Sequence, residues 1–343
     1  MSQNQSLPDK SSLPPVNAEE LTSLYREMLL IRRVEELAAK AYTQRKILGF
    51  CHLYIGQESV AVGAAVSTKD DYWMAAYREH GQAMAKGVSA KAMMAELFGK
   101  ETGSSKGQGG SMHIFDVSKR FMGGYAIVGG PFPLAAGMGM ALDMKGEDNI
   151  AICFLGDAAN NQGTFHETLN MAAVWELPAL FICENNLYGI GTSIERSTSE
   201  LDQYKRAAVY NIEADVCDGQ DLDIVFEHAS KAVDYVRSKR KPYFLELKTY
   251  RFRGHSMSDG GAYRTKAEED EWKKRDPIRI LRQRLTEAGA LSDEAYKAMD
   301  REIMAEIENE VVPFAEGSPE PDVADVERYV FAENDPYVHG GPN

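Results

Sequence analysis

The sequence predicts a doubly wound α/β fold, a mostly parallel sheet flanked by helices, with helical extensions at its N- and C-terminal ends. Three features of its middle carry that expectation. Ile150 to Leu155 is an apolar run of buried-strand length, and it stops at the turn Gly156-Asp157. A helical stretch follows, Gly163 to Trp175, closed by Pro178. A second apolar run, Ala179 to Cys183, ends in the polar cluster Glu184-Asn185-Asn186. Strand, helix, strand is a βαβ unit whose crossover is right-handed by default. Both strand ends then share one edge of a parallel sheet, where α/β sheets bind ligands, and Asp157 comes beside Asn186.

The other elements follow in order. Met1 to Val16 is polar and proline-bearing and reads as a disordered tail. Asn17 is a helix N-cap, and the helix runs to about Arg45 with Leu21, Tyr25, Met28, Leu29 and Ile31 on its apolar face. His52 stands in an aromatic, glycine-flanked loop, Gly49 to Glu58. Asp71 to Ala76 is a short strand with Tyr77-Arg78-Glu79-His80-Gly81 at its end. An aromatic and an arginine there suit a diphosphate, because a guanidinium fork bonds two phosphate oxygens. Gly103 to His113 is a flexible glycine loop without the residue order of a P-loop. Phe121 to Leu142 carries no charge, but its glycines and prolines favour a glycine loop leading into a buried helix over a membrane span. Asn211 to Val216 and Pro242 to Thr249 are further strands, joined by a helix from Gln220 to Arg240. Arg251 to Arg264 is a Gly- and Ser-rich loop with a histidine and three arginines, of the kind that orders on ligand binding. Lys266 to Ala288 and Ser292 to Phe314 are charged amphipathic helices, and Gly317 to Asn343 is an acidic tail. The division expected is a tail at 1–16, an α/β domain at 17–265 and partner-docking helices at 266–343.

Composition bounds the function. The chain has 343 residues, 44% hydrophobic and 26% charged, as soluble globular proteins do. A net charge of −14 argues against nucleic-acid binding, which needs basic patches, and is compatible with a basic partner surface. Cys51, Cys153, Cys183 and Cys217 form no CxxC pair and read as core residues of a reducing compartment. No signal peptide or Arg-rich transit segment is visible.

The chemistry at the strand ends is specific. An Asp carboxylate and an Asn carbonyl are hard oxygen ligands, suited to Mg²⁺ or Ca²⁺ rather than zinc. Mg²⁺ takes few protein groups and completes its shell with phosphate oxygens, so a divalent metal with a phosphorylated ligand is expected. The plain alternative is that Asp157 N-caps the helix and Asn186 sits in a turn.

Leu155 to Gly191 resembles the thiamine-diphosphate motif, which begins GDG and ends NN. The runs NQG, NMAAVWELP and ENNLYGIGTS resemble, more narrowly, the alpha subunits of the pyruvate dehydrogenase decarboxylating component, over about Leu30 to Pro277. The resemblance implies a thiamine-diphosphate-binding fold, with Mg²⁺ on Asp157, Asn186 and the Tyr188 carbonyl. It assigns Tyr77, Arg78, Ala158, Ala159 and Arg251 to the cofactor and His255 to its diphosphate. Backbone groups of Ala126 and Val128 would meet the aminopyrimidine, and His52 would face the substrate channel, with His52 and His255 as the catalytic pair. His113 is structural or substrate-facing in that reading. Two positions depart from the family: Ala158 and Ala126 stand where glycine is usual. A methyl there has a cost if the backbone needs a positive φ.

The activity implied is oxidative decarboxylation of pyruvate with acetyl transfer to the lipoyl group of an acyltransferase. The activating glutamate belongs to a separate beta subunit in that family, so an α₂β₂ heterotetramer is expected. The alternatives are the alpha subunit of a branched-chain 2-oxo acid or acetoin dehydrogenase, and a non-catalytic metal-dependent binding subunit. The compartment expected is a bacterial cytoplasm, or the mitochondrial matrix for a processed organellar form.

Overall fold

A computed structural model describes residues 18–68, 70–325 and 327–329. Its strands are β1 (Tyr72–Ala76), β2 (Phe121–Tyr125), β3 (Ala151–Gly156), β4 (Ala179–Asn185), β5 (Tyr188–Gly189), β6 (Thr192–Ser193), β7 (Glu213–Asp218) and β8 (Tyr243–Lys248). Six of them form one parallel sheet in the order β2-β1-β3-β4-β8-β7, and β5 pairs with β6 in a small antiparallel hairpin.

Alternation along the central strands builds two cores, as the period of two in a strand requires. Ile152, Phe154, Leu180, Ile182, Leu245 and Leu247 join one buried cluster, with helices Ala18–Thr43, Glu58–Val66 and Leu222–Lys239. Ala151, Cys153, Leu155, Ala179, Phe181 and Cys183 join the other, with helices Pro131–Lys145 and Gly163–Val174. Phe132 and Phe165 meet edge to face at 5.5 Å between ring centroids in this second core. All four cysteines are free and buried. The sheet covered on both faces is the doubly wound architecture expected.

Several boundaries differ from the sequence reading. The first helix ends at Thr43, with Arg45 in the left-handed region beyond it. The expected cap Asn17 and the tail 1–16 lie outside the described residues, as does most of the acidic end. β4 runs two residues further than expected, because Glu184 and Asn185 pair with Leu247 and Lys248 of β8. Lys266 to Ala288 is two helices, Lys266–Lys274 and Pro277–Glu287. Pro277 disfavours a helical residue before it, and Asp276 instead caps the second helix by accepting the Ile278 N–H at 2.9 Å. The same Asp276 meets Arg32 at 2.9 Å, and Arg32 also bonds the fully buried Glu58, so the C-terminal helices are tied to the first one by charge. Ser292 to Phe314 is the helix Asp293–Glu306, continued through a π-helical turn into Val312–Gly317.

Phe121 to Tyr125 is a strand, not a glycine loop. β2 carries an extra residue against β1, where Trp73 pairs with Phe121 but Ala75 with Gly124. Gly123, at φ +105, lies where a Cβ would meet the Phe115 ring at 2.1 Å. Those glycines serve close packing rather than a turn. The expected helix then begins at Pro131 and ends at Gly146, in the left-handed conformation of a helix stop. Among the described residues no helix is long and apolar enough to cross a membrane.

The glycine loop after Gly103 is held by one carboxylate. Glu96 accepts the N–H groups of Ser105, Gly107, Gly109 and Gly110 at 2.8, 2.9, 2.7 and 3.0 Å. An internal anion thus takes the place that a phosphate has in a nest of backbone amides. The loop expected to be flexible is ordered around a fully buried side chain. Glu96→Gln keeps the size but turns an NH₂ group toward those amides. It should lower the unfolding free energy by about 3 kcal/mol in urea titration, the scale of lost bonds to a buried charge. An unchanged midpoint would show that the loop orders without Glu96.

Candidate active site

The register of β3 and β4 builds the site. Leu155 pairs with Cys183 and Gly156 with Glu184, so the residues that follow emerge side by side. Asp157 Oδ1 accepts the Asn186 N–H at 3.2 Å. Asn186 Nδ2 donates to Gln57 Oε1 at 3.0 Å, and this leaves Asn186 Oδ1 buried without a hydrogen-bond partner among the described residues. Asp157 is 2% exposed, and burial raises its pKa to about 6. A buried carboxylate and an orphaned amide oxygen at one place are hard oxygen groups of the kind that a bound cation or a donor would compensate. Asp157 does begin a short 3₁₀ turn, but the helix Gly163–Val174 starts six residues later with Gln162 at its N-cap position, so Asp157 is not its cap.

These residues open on a cleft of about 230 Å³. Of the expected site residues, Tyr77, Arg78, Val128, Asp157, Ala158, Ala159, Asn186, Tyr188 and His255 line it. His52 stands behind the wall, its ring 4.8 Å from that of Tyr77 and 5.1 Å, edge-on, from that of His255. Arg251 lies beneath, 1% exposed, bonded to the Ile190 carbonyl and the Tyr263 hydroxyl, with Nε and one terminal nitrogen unpartnered. Ala126 is half-buried on the segment between β2 and Val128 and does not line the cleft.

Charge and burial set the protonation of the wall. Burial, then the nearby Arg78, hold the pKa of His52 far below its usual value. His255 is lowered to about 4 by burial and by the charges of Arg78 and Arg251. Both rings are therefore neutral at pH 7, and His52 Nδ1 is buried without a hydrogen-bond partner among the described residues. Burial among other cations brings Arg251 down to about 10, which still leaves it charged.

Arg78 sits at the expected strand end but uses its fork on the protein. It donates to the carbonyls of Leu53 at 2.8 Å and His255 at 2.7 Å. The 251–264 segment is likewise well bonded: Arg264 donates to the carbonyls of Arg251 and Arg253, and Asp259 accepts from the His255 N–H and the Tyr263 hydroxyl. It is packed rather than solvated.

Some lining residues were missed from sequence. Glu184 reads there as part of a terminal polar cluster. In the structure it is buried in the cleft wall, bonded by the Tyr54 hydroxyl and by Gln82 at 2.9 and 3.0 Å, and burial raises its pKa to about 7. Gln57 approaches Asn186 from a separate loop, which no local pattern announces. Gln162 had a signal, the NQG run ahead of a helix. It lines the cleft and precedes Gly163 with no side-chain cap bond, so a helix N-terminus without a side-chain cap adjoins the cleft. His113 points away, with Nδ1 3.0 Å from the Gly124 carbonyl, in a structural role.

The family departures cause no backbone strain: neither Ala158 nor Ala126 is among the residues with positive φ. The Ala158 methyl instead occupies space opposite Gly189, where an added Cβ would come within 2.5 Å of it.

The parallel sheet flanked by helices, with its switch of strand order, is that of a thiamine-diphosphate-binding α/β protein. The chain belongs to the dehydrogenase E1 component family, whose model matches residues 26–324, and members of that family depend on thiamine diphosphate. The match reaches beyond Leu30 and Pro277 at both ends and takes in the C-terminal helices. A Rhizobium meliloti (strain 1021) protein named pyruvate dehydrogenase E1 component subunit alpha is 45% identical over 304 residues, 88% of this chain and 87% of its own. Its namesake from Zymomonas mobilis is 44% identical over 326 residues, 92% of this chain and 91% of its own. The one from Porphyra purpurea is 39% identical over 344 residues, 96% of this chain and 100% of its own.

The Ala158 contact yields a prediction. Gly189→Ala should cost about 1–3 kcal/mol of stability, the usual price of overpacking, and Ala158→Gly should restore most of it. Urea unfolding of the two single variants and the double variant measures this. An equal loss in both backgrounds would mean the methyl is not what excludes a side chain at 189.

Proposed function

We propose that this chain is the alpha subunit of the decarboxylating component of pyruvate dehydrogenase, working with thiamine diphosphate and Mg²⁺. The observation that carries the reading is the orphaned Asn186 Oδ1 beside the buried Asp157 carboxylate, at a cleft edged by a helix N-terminus. The names printed for the relatives support the substrate, and those quoted carry the pyruvate name rather than a branched-chain or acetoin one.

The residues fit the cofactor. Asp157, Asn186 Oδ1 and the Tyr188 carbonyl would hold Mg²⁺. The diphosphate would lie toward the helix N-terminus at Gly163, with Gln162, Tyr77 and His255 as donors, the charge of the buried Arg251 beneath it and the remaining donors of Arg78 at its edge. Ala158 and Ala159 would pack on it, and backbone groups of Ala126 and Val128 would meet the aminopyrimidine. Thiamine diphosphate, when bound, supplies the electron sink for decarboxylation. The chain's own part is to place the substrate beside His255, with the His52 ring packed behind it and both rings neutral, and to keep water from the buried wall.

The same reading requires partners. The cleft-lining carboxylates are Asp157 and Glu184, and both oxygens of Glu184 are engaged by Tyr54 and Gln82. A further carboxylate for the aminopyrimidine must come from a beta subunit. Ile127, Leu134 and Ile190 stand 77%, 43% and 65% exposed around the mouth, an apolar rim suited to such a subunit. The helices from Pro277 onward share the apolar cluster of Ala18–Thr43, and we assign the outer faces of the helices after 265 to docking within an α₂β₂ particle. The acetyl acceptor would be the lipoyl group of an acyltransferase. A bacterial cytoplasm is the compartment we infer, or the matrix for an organellar form.

Two measurements test this. Asp157→Asn, assayed by calorimetry in the presence of the beta subunit, should weaken joint binding of thiamine diphosphate and Mg²⁺ by more than about 100-fold, since even indirect supports of a metal are worth 10–100-fold. Unchanged affinity would remove the metal site. Pyruvate decarboxylation should appear only when alpha and beta are mixed, and turnover by the alpha chain alone would refute the division of labour.

A further inference from the structure

A line of polar groups runs under His52 through an otherwise apolar core. Glu35 on the first helix and His80 are both fully buried, with Glu35 Oε1 2.7 Å from His80 Nδ1. His80 Nε2 lies 2.9 Å from Ser111 Oγ and 3.2 Å from the Ser111 carbonyl. Ser111 Oγ in turn accepts the backbone N–H of His52 at 3.0 Å. Ser111 itself sits at the end of the loop that Glu96 holds.

Both ring nitrogens of His80 meet polar partners, the Glu35 carboxylate on one side and Ser111 on the other, so neither is left unsatisfied in this dry site. Burial pulls the pKa of His80 down, but the charge and hydrogen bond of Glu35 outweigh it and the net shift is upward. Through its two ring nitrogens His80 bridges Glu35 and Ser111 and fixes both in place. Buried pairs of this kind are weak sources of stability, since apolar residues of equal volume serve as well. What this pair does supply is a rigid connection from the first helix to the backbone of His52.

We propose that Glu35, His80 and Ser111 are positioning residues which set the His52 ring against Tyr77 and His255 behind the cleft wall, an inference that rests on the reading of His52 as the substrate-facing group. A displacement of about 1 Å at a reacting group costs on the order of 100-fold in rate. None of the three lines the cleft, and the bond from the His52 N–H to Ser111 Oγ is the link from this line to the His52 loop.

The test uses the complex of the chain with its beta subunit. Ser111→Ala removes one oxygen and is the mildest break in the line. It should lower kcat by about tenfold to 100-fold while leaving the KM for pyruvate and the cofactor affinity within about twofold. In a His52→Gln background the same change should cost less than about twofold, because the group it positions is gone. The ring resonances of His52, labelled with ¹⁵N and read in the cofactor-free complex, should shift in Ser111→Ala and again in His80→Gln. Equal losses of kcat in both backgrounds, or an effect on neither kcat nor the resonances, would overturn the proposal. If His52→Gln alone leaves kcat intact, the substrate-facing reading of His52 fails. The resonances then decide the rest: a shift upholds positioning, and an unmoved signal overturns it.

Discussion

The cleft depends on one strand register. Gly156 of β3 lies opposite Glu184 of β4, and everything downstream of those two residues is placed by that pairing. A slip of one residue would turn Cys153, Phe154 and Leu155 to the wrong cores and would part Asp157 from Asn186. The two cores therefore enforce the site: Phe154 and Ile182 are fully buried in one, Phe181 and Cys183 in the other. Packing energy, spread over many apolar contacts, fixes a polar geometry that could not hold itself, since a buried carboxylate beside an orphaned amide oxygen is unfavourable in isolation.

The second constraint is the run that leaves β1. Four consecutive residues there face four different directions. Tyr77 packs on the His52 and His255 rings, and Arg78 ties the carbonyls of Leu53 and His255 together. Glu79 turns inward, fully buried, where burial raises its pKa to about 8; it accepts the Ile114 N–H at 3.1 Å and presses on Gly124. His80 reaches Glu35 and Ser111. One strand end thus connects β2, the loop of His52 and the segment of His255. Each charge-assisted bond of Arg78 contributes about 1.5–3 kcal/mol, which helps explain why a segment rich in glycine and serine lies packed against the cleft.

The central unit was legible in the sequence because β3 and β4 are buried on both faces, so they appear as unbroken apolar runs with polar ends. The neighbourhood of Asp157 and Asn186 followed from topology alone. β2 was not legible: Gly123 and Gly124 look like punctuation, and the contacts that demand them, Phe115 and Glu79, lie elsewhere in the chain. Helix Glu58–Val66 was missed because nearly all of it is buried, which erases the polar face that reveals a helix. The break at Asp276-Pro277 was visible in principle, as the residue before a proline resists the helical region. The positions of Gln57, Glu184 and Arg251 were the hardest to foresee. Each is defined by partners on distant elements: Asn186 for the first, Tyr54 and Gln82 for the second, Ile190 and Tyr263 for the third.

The central claim is that Asp157 and Asn186 hold a metal which carries the cofactor's diphosphate. The most direct measurement is anomalous diffraction from crystals of the complex with the beta subunit, loaded with thiamine diphosphate and Mn²⁺ in place of Mg²⁺. The account predicts one strong manganese peak within about 2.0–2.3 Å of an Asp157 carboxylate oxygen and Asn186 Oδ1, with diphosphate density beside Gly163. A peak elsewhere, or a diphosphate bound with no metal between Asp157 and Asn186, would contradict it.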